Sequence, residues 1–261
     1  MQYDEGFPRL KLCKVTKNKI KTSNLRWKCM TDTFNFKYFS VQQNHCAMKV
    51  GTDGVLLGVW AHGGSHVLDI GSGTGLLCLM MAQRFPEAMV DGVEIDEKAA
   101  KQSIDNIVRS PFASKISIYH SRIQDYHPTA AYDAIVTNPP FFSNGVEAKD
   151  TSRNMARHSI ELTFDEIFMF AKEWMTKEGE LSAVLPMTGI DDMEMAASLH
   201  GFFITRLYKV CTTEKKEPKR CLAAFSKSRP PHFDREQVIL QSGDGQRSEW
   251  YRELTKSFYI K

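Results

Sequence analysis

Apolar positions along this chain switch between a period of two and a period near 3.6. FNFKYFSV, residues 34–41, alternates aromatic and polar side chains, which predicts a half-buried strand with Ala47–Val50 as its partner. GTDGVLLGVW opens with Gly51, Thr52 and Asp53, residues suited to capping, and continues as an apolar helix to Trp60. Val67, Leu68 and Ile70 form a short apolar run, as in a strand covered on both faces. LLCLMMAQRF then reads as a helix, MVDGVEID as a strand, and Glu97–Arg109 as a helix stopped by Ser110-Pro111. Ile116–Tyr119 and Asp133–Thr137 are strands; Phe164–Met175 is an amphipathic helix, Glu180–Leu185 a strand and Asp191–Leu199 a helix. Ile204–Cys211 and Cys221–Ser226 are strands joined by a long turn. Ser248–Phe258 is a closing helix with Trp250, Leu254 and Phe258 spaced for core packing. Strands alternating with helices predict an α/β domain.

Composition adds limits. The 261 residues are 42% hydrophobic and 25% charged, enough to bury one α/β core, with no run long enough to span a bilayer. No N-terminal apolar stretch resembles a signal peptide, so a cytoplasmic protein is expected. Cys13, Cys29, Cys46, Cys78, Cys211 and Cys221 never fall in CxxC pairs, which argues for reduced thiols over a zinc site or a disulfide framework.

The net charge of +3 is unevenly placed: Gly6–Thr31 carries eight basic residues and no acid, while residues 32–261 sum to −3. Residues 1–33 therefore read as a basic arm and residues 34–261 as the folded domain. The arm either binds phosphate or is a solvated leader.

The densest chemistry begins at HVLDIGSGTG, residues 66–75. A strand that breaks into Gly71, Gly73 and Gly75 and restarts as a helix makes a turn that a ligand can approach closely. The spacing is DxGxGxG, with Leu76 where the dinucleotide fingerprint needs a small residue. Asp69 suits a ligand with a positive amino group, and the loop N–H groups suit a carboxylate. S-adenosylmethionine has both. Lys49, Thr52 and Asp53 are candidates for its methionine end, unless Thr52 and Asp53 only cap the helix. Glu94, 19 residues past Gly75 at the end of the next strand, can accept from ribose hydroxyls. Ile123, Gln124 or Asp125 is expected near the adenine.

Asn138-Pro139-Pro140-Phe141 follows the strand ending at Thr137. Two prolines fix the backbone, so the Asn138 side-chain oxygen and the Pro139 carbonyl can be held together. They match the two N–H bonds of a planar amino group, and Phe141 can stack on the ring that carries it. Methyl transfer would then be an in-line displacement helped by positioning and fixed dipoles. Farther on, Arg153, Arg157 and His158 sit in a polar stretch that either covers the target or is plain surface. Lys215, Lys216, Lys219 and Arg220 lie in the late turn, as nucleic-acid contacts or solvated charges.

These segments resemble class I adenine-N6 methyltransferases that use S-adenosylmethionine. FKYFSVQQNHCAMKVGTDGVLLGVW, LDIGSGTGLLCLMMAQR, VDGVEID, NIVRSPF, IQDY, IVTNPPFF and SEWYRELTKSFYI narrow the resemblance to the bacterial family that modifies adenine 37 of tRNA1(Val). The resemblance covers residues 34–261; the basic arm departs from it. It implies a Rossmann-like domain with a mostly parallel seven-stranded sheet, an antiparallel last strand and helices on both faces. It implies S-adenosylmethionine as cofactor and a flipped adenine in a tRNA anticodon loop as target. Asn138, Pro139 and Phe141 would be catalytic; Pro140, Phe141, Arg153, Arg157, Lys215 and Lys216 would meet the substrate. A monomer without metal or membrane contact is expected. Two other readings share the motifs: a methyltransferase for a glutamine side-chain amide or another nucleic acid, and an RNA-binding protein that has lost turnover.

Overall fold

The computed structural model describes residues 33–44, 49–139 and 162–260. The basic arm therefore lies almost wholly outside the described residues. β1 (Thr33–Asn35) and β2 (Ser40–Gln42) form an antiparallel hairpin apart from the main sheet. The aromatic stretch thus pairs with itself and not with Ala47–Val50, of which Lys49 and Val50 are in no strand and residues 47 and 48 are not described. The reason is facial. Phe36 and Phe39, an odd number of residues apart, would point to opposite sides of a straight strand. A turn closed by Phe36 N–H donating to Phe39 O at 2.9 Å brings both rings into the core, stacked 4.7 Å apart.

The main domain begins with α1 (Thr52–Trp60), buried along nearly its whole length. β3 (His66–Ile70), α2 (Leu76–Arg84), β4 (Met89–Glu94), α3 (Glu97–Val108) and β5 (Ile116–His120) follow, close to the bounds the sequence predicts. Asp96 caps α3 by accepting from Ala99 N–H at 2.8 Å. After β6 (Tyr132–Thr137) come α4 (Phe164–Trp174), opened by a Thr163/Glu166 capping box, and β7 (Met175–Pro186). β7 starts earlier than expected. Its buried first residue pairs at Tyr132↔Met175, and the register shifts across the polar stretch that follows so that Ala134 faces Glu180. α5 (Ile190–Leu199), β8 (Phe203–Cys211), β9 (Arg220–Ser226), β10 (Asp234–Ile239) and α6 (Glu249–Thr255) complete the chain.

The sheet order is β10-β8-β9-β7-β6-β3-β4-β5, and β9 alone runs antiparallel to its neighbours. β9 is the expected antiparallel strand, slotted between β7 and β8. One strand, β10, lies beyond the seven expected. Its DREQ start carries no alternating apolar signal, and charges on an edge strand oppose pairing with another chain. From β3 the chain steps outward to β5, then returns across β3 to β6. This reversal opens a crevice at the carboxyl ends of β3 and β6.

Helices cover both faces, as expected. One layer joins α1, α2, the hairpin and α6 through Leu56, Met80, Phe36 and Phe258; the other joins α4 and α5 through Phe168 and Met193. Phe258 is 1% exposed, and Lys37 N–H donates to its carbonyl at 2.9 Å, tying the C-terminus to the hairpin. Phe258→Ala is expected to cost about 3–5 kcal/mol, the range for emptying a buried aromatic site. A urea melt with an unchanged midpoint would show that this end of the chain does not support the core.

Candidate active site

The glycine turn lies at the end of β3, inside the crevice. Gly71, Gly73 and Gly75 have φ of 76°, 53° and 79°, all in the left-handed region. At Gly75 a Cβ would also lie 2.5 Å from Ser103 Oγ, so that hydroxyl would have to move. The loop N–H groups expected to meet a ligand are largely committed to the protein. Gly71 and Ser72 donate to the Val93 carbonyl at 2.9 and 3.1 Å, and Gly73 donates to Glu94 Oε2 at 2.8 Å. The loop is therefore clamped to β4.

Glu94 makes backbone bonds that its sequence position alone does not reveal. It is buried at the end of β4, its Oε1 accepts from Asp96 N–H at 2.9 Å, and it lines the cavity. An ionised carboxylate has about four acceptor positions, so two backbone bonds leave capacity for a ligand hydroxyl.

Asp69 sits differently from expectation. It does not line the cavity; it is 1% exposed, on the sheet face toward α2. Its Oδ2 accepts from Cys78 Sγ at 3.4 Å, and its buried Oδ1 has no hydrogen-bond partner. Burial pushes its carboxyl up to about 7, against the hydrogen bond from Cys78 and with the nearby Glu94 charge adding to the rise. An alternating strand explains the placement: Asp69 shares the Val67 face, and the ligand passes over the strand end. Ser72 Oγ, on the cavity wall, is also buried without a partner. The orphaned Ser72 hydroxyl on the wall fits a polar ligand, whereas the orphaned Asp69 oxygen lies off that wall.

The cavity measures about 850 Å³ and runs from the turn after β4 to the start of β9. Ile123 and Gln124 line it, Gln124 donating through Nε2 to Glu166. Asp125 is exposed and does not line it, because the 3-10 turn at Ile123–Asp125 rotates successive side chains apart. Lys49, Thr52 and Asp53 line the opposite wall. Gly51, not Thr52 or Asp53, is the N-cap of α1, and no side chain caps it. Asp53 and Arg220 are paired across the rim, with Oδ1 to Nη1 at 2.9 Å but outside hydrogen-bond alignment. Burial raises the Asp53 carboxyl pKa, and the Arg220 charge opposes that rise.

Asn138 and Pro139, just past the end of β6, also border the cavity. Their strand pairs directly with the glycine-turn strand, Thr137 opposite Ile70, and Thr137 Oγ1 donates to Ile70 O at 2.9 Å. Pro140, Phe141, Arg153, Arg157 and His158 lie outside the described residues. Lys215 and Lys216 are exposed in the β8–β9 turn, away from the cavity wall. Asp96, Lys98 and Arg122 line the cavity without having been singled out in the sequence. Their signal was position, directly after β4 and β5, where ligands of open sheets bind. Among the described residues no cluster of His, Cys, Asp and Glu could hold a metal, and no helix is long and apolar enough to cross a membrane. Cys78, Cys211 and Cys221 are free and buried.

Residues 47–189 match the family described as methyltransferase small domain. The tRNA1(Val) (adenine(37)-N6)-methyltransferase of Aliivibrio salmonicida is 40% identical over 233 residues, covering 88% of this chain and 99% of that protein. The protein of the same name from Bacteroides thetaiotaomicron is 40% identical over 230 residues, covering 87% and 97%. Among solved structures, a predicted O-methyltransferase from Agrobacterium tumefaciens superposes with a TM-score of 0.62 at 17% identity, over 79% of this chain and 96% of that one, a likeness of fold alone. With the crevice, the glycine turn and these relatives in agreement, the chain belongs to the methyltransferase small domain family, alongside the bacterial tRNA1(Val) (adenine(37)-N6)-methyltransferases.

Proposed function

We infer that this protein transfers a methyl group from S-adenosylmethionine to N6 of an adenine in a tRNA anticodon loop, adenine 37 of tRNA1(Val). The observation that carries the reading is that Asn138 and Pro139 border the same cavity as Gly71 and Gly73, on the adjacent strand. S-adenosylmethionine, when bound, supplies an electrophilic sulfonium methyl. The residues suit its other groups. Glu94 offers acceptor capacity for ribose hydroxyls and Ile123 an apolar wall for the adenine; Asp69, which does not line the cavity, offers the amino group a buried counter-charge from beneath the turn. Lys49 and Thr52 stand on the opposite wall, for the carboxylate.

The substrate amine is neutral and needs no strong base, because its nitrogen acidifies as the new bond forms. Asn138 Oδ1 and the Pro139 carbonyl accept its two hydrogens. That pair of bonds draws electron density onto nitrogen and aims its lone pair. Fixed dipoles of this kind cost no reorganisation during the reaction. Contacts along the loop backbone offset the cost of unstacking the base.

Asn138→Ala is expected to lower kcat by about 10²–10³, the usual loss when one preorganised polar partner is removed. Binding of S-adenosylmethionine should survive. Single-turnover transfer of labelled methyl to tRNA1(Val) transcript, with the label mapped to one nucleotide, measures the first; calorimetry measures the second. Near wild-type turnover in this variant would remove the acceptor role.

Asp69 gives a pH prediction. Its carboxyl is raised from an ordinary 3.8 to about 7 in the folded chain. The unfolded state thus binds fewer protons between those values, and stability falls as pH rises through that window. Below about pH 4 both states are protonated and there is no penalty. Asp69→Asn cannot ionise. Without ligand it should be more stable than wild type at pH 8, and the gap should close as pH falls toward 4. Its affinity for S-adenosylmethionine should drop, because the counter-charge is gone. Denaturant melts across pH showing a constant gap would refute the buried-charge account.

A further inference from the structure

Strand order separates the cavity into two ends. β3, β4 and β5 carry the glycine turn, Glu94 and Gln124 on one side. Asn138 and Pro139 follow β6, in the middle. Beyond β6 lie β7 and then β9, whose first residue, Arg220, lines the far wall. A base held by Asn138 and presented to a methyl donor over β3 must therefore have its sugar and phosphate toward the β7–β9 side or outward. Arg220 is a cation on the cavity wall here, next to the α1 end where Lys49 also lines it.

Its placement is fixed by the fold. Arg220 is paired with Pro186, the last residue of β7, and with Val210 of β8. The preceding residue is tied at both ends: Lys219 N–H donates to Val210 O at 3.3 Å, and Lys219 O accepts from Met187 N–H at 3.1 Å. Asp53, in the first turn of α1, stands 2.9 Å from Nη1. Arg220 is only about one-third exposed, so its charge is poorly screened, yet it has five N–H donors and Asp53 meets one side of the fork. The remaining donors have the planar geometry that matches a phosphate. Outward along the same turn, Lys215, Lys216 and Lys219 are exposed; with Arg220 they outnumber Glu214 and Glu217. The cationic surface thus continues from the cavity wall to the open turn.

We propose that Arg220, oriented by Asp53, binds the phosphate of the flipped target nucleotide, and that the β8–β9 turn carries the adjoining phosphates of the loop. This rests on the methyltransferase reading above and assigns the substrate end of that same cavity. Asp53 is a positioning residue in this scheme. The shared chemistry is an anionic oxygen group, which the carboxylate of S-adenosylmethionine could also present, and the strand order favours the nucleotide.

The test uses the full chain and a tRNA1(Val) transcript. Wild-type methyl transfer is first measured against salt; absence of any transfer would fail the functional reading itself. If transfer occurs, Arg220→Gln should raise KM for tRNA roughly tenfold or more, as expected for loss of a charge-assisted bond. It should also make the slope of log KM against log salt shallower by about 0.7, the loss of one phosphate contact on a single strand. Affinity for S-adenosylmethionine, by calorimetry, should be unchanged. Arg220→Lys keeps a charge beside Asp53, guards against a folding defect, and should restore the salt slope while recovering only part of KM. Weakened cofactor binding with an unaltered salt slope would overturn the proposal in favour of the carboxylate. Wild-type values for both quantities would reduce the Asp53–Arg220 pair to a structural tie and overturn it as well.

Discussion

The site hangs on the clamp between the glycine turn and the end of β4. Three consecutive loop N–H groups are held by one strand end, two on the Val93 carbonyl and one on the Glu94 carboxylate. A glycine-rich turn is otherwise weakly restrained backbone. Fixing it from β4 gives the cavity a rigid floor without using side chains from the loop. Glu94 is central because it serves two directions at once. Its bonds to Gly73 and Asp96 set the loop and the start of α3, and the same carboxylate forms cavity wall. Loop shape and ligand contact are thereby coupled through one residue. Any substitution of Glu94 would alter both, so its loss cannot be read as the loss of a ligand bond alone.

Beneath that floor the fold tolerates a feature that packing by itself would reject. Asp69 is a buried carboxyl with one oxygen unmatched, at a position where Val67, its neighbour on the same face, is fully buried and apolar. Such a group opposes folding at neutral pH, and a neutral isostere would serve the core better. Its retention makes sense if the opposing free energy is recovered when a cation approaches the strand end. The stability of the empty protein and the affinity for its donor are then linked through one proton equilibrium.

Much of this was legible in the sequence. The strands and helices from β3 to β6 carry strong periodic signals and clear stops, and they fold where those signals point. The antiparallel β9 and the capped C-terminal helix were equally readable. Where expectation and structure part, the cause is local geometry that a one-dimensional pattern does not carry. The aromatic run before α1 has a strand's period but turns between Phe36 and Phe39, since burying both rings requires it. β10 was hidden because an edge strand need show only one apolar face, and Asp234–Gln237 shows almost none. At the site, residue type was read more surely than direction. Neither Asp69 nor Asp125 lines the cavity: the first is buried under the sheet and the second is exposed in the turn after β5. Lys98 and Arg122 are ordinary surface residues by composition, and only the folded crevice brings them to the cavity wall.

Charge distribution sets the terms on which a polyanion can use this cavity. Residues 32–261 together sum to −3, so the domain as a whole does not attract RNA. Around the glycine turn Asp69 lies beneath, and Glu94 and Asp96 share the wall with Lys98 and Arg122, so neither sign dominates there. The carboxylates there can accept from an ammonium or from hydroxyls. At the β9 end Arg220, paired with Asp53, is on the wall, and lysines lie in the turn beyond it. Partly buried charges such as Arg220 are screened less than exposed ones, so the wall and the open turn differ in how salt acts on them. In the proposed complex the phosphates would run outward along the β8–β9 turn, and the base, which carries no charge, would enter toward Asn138.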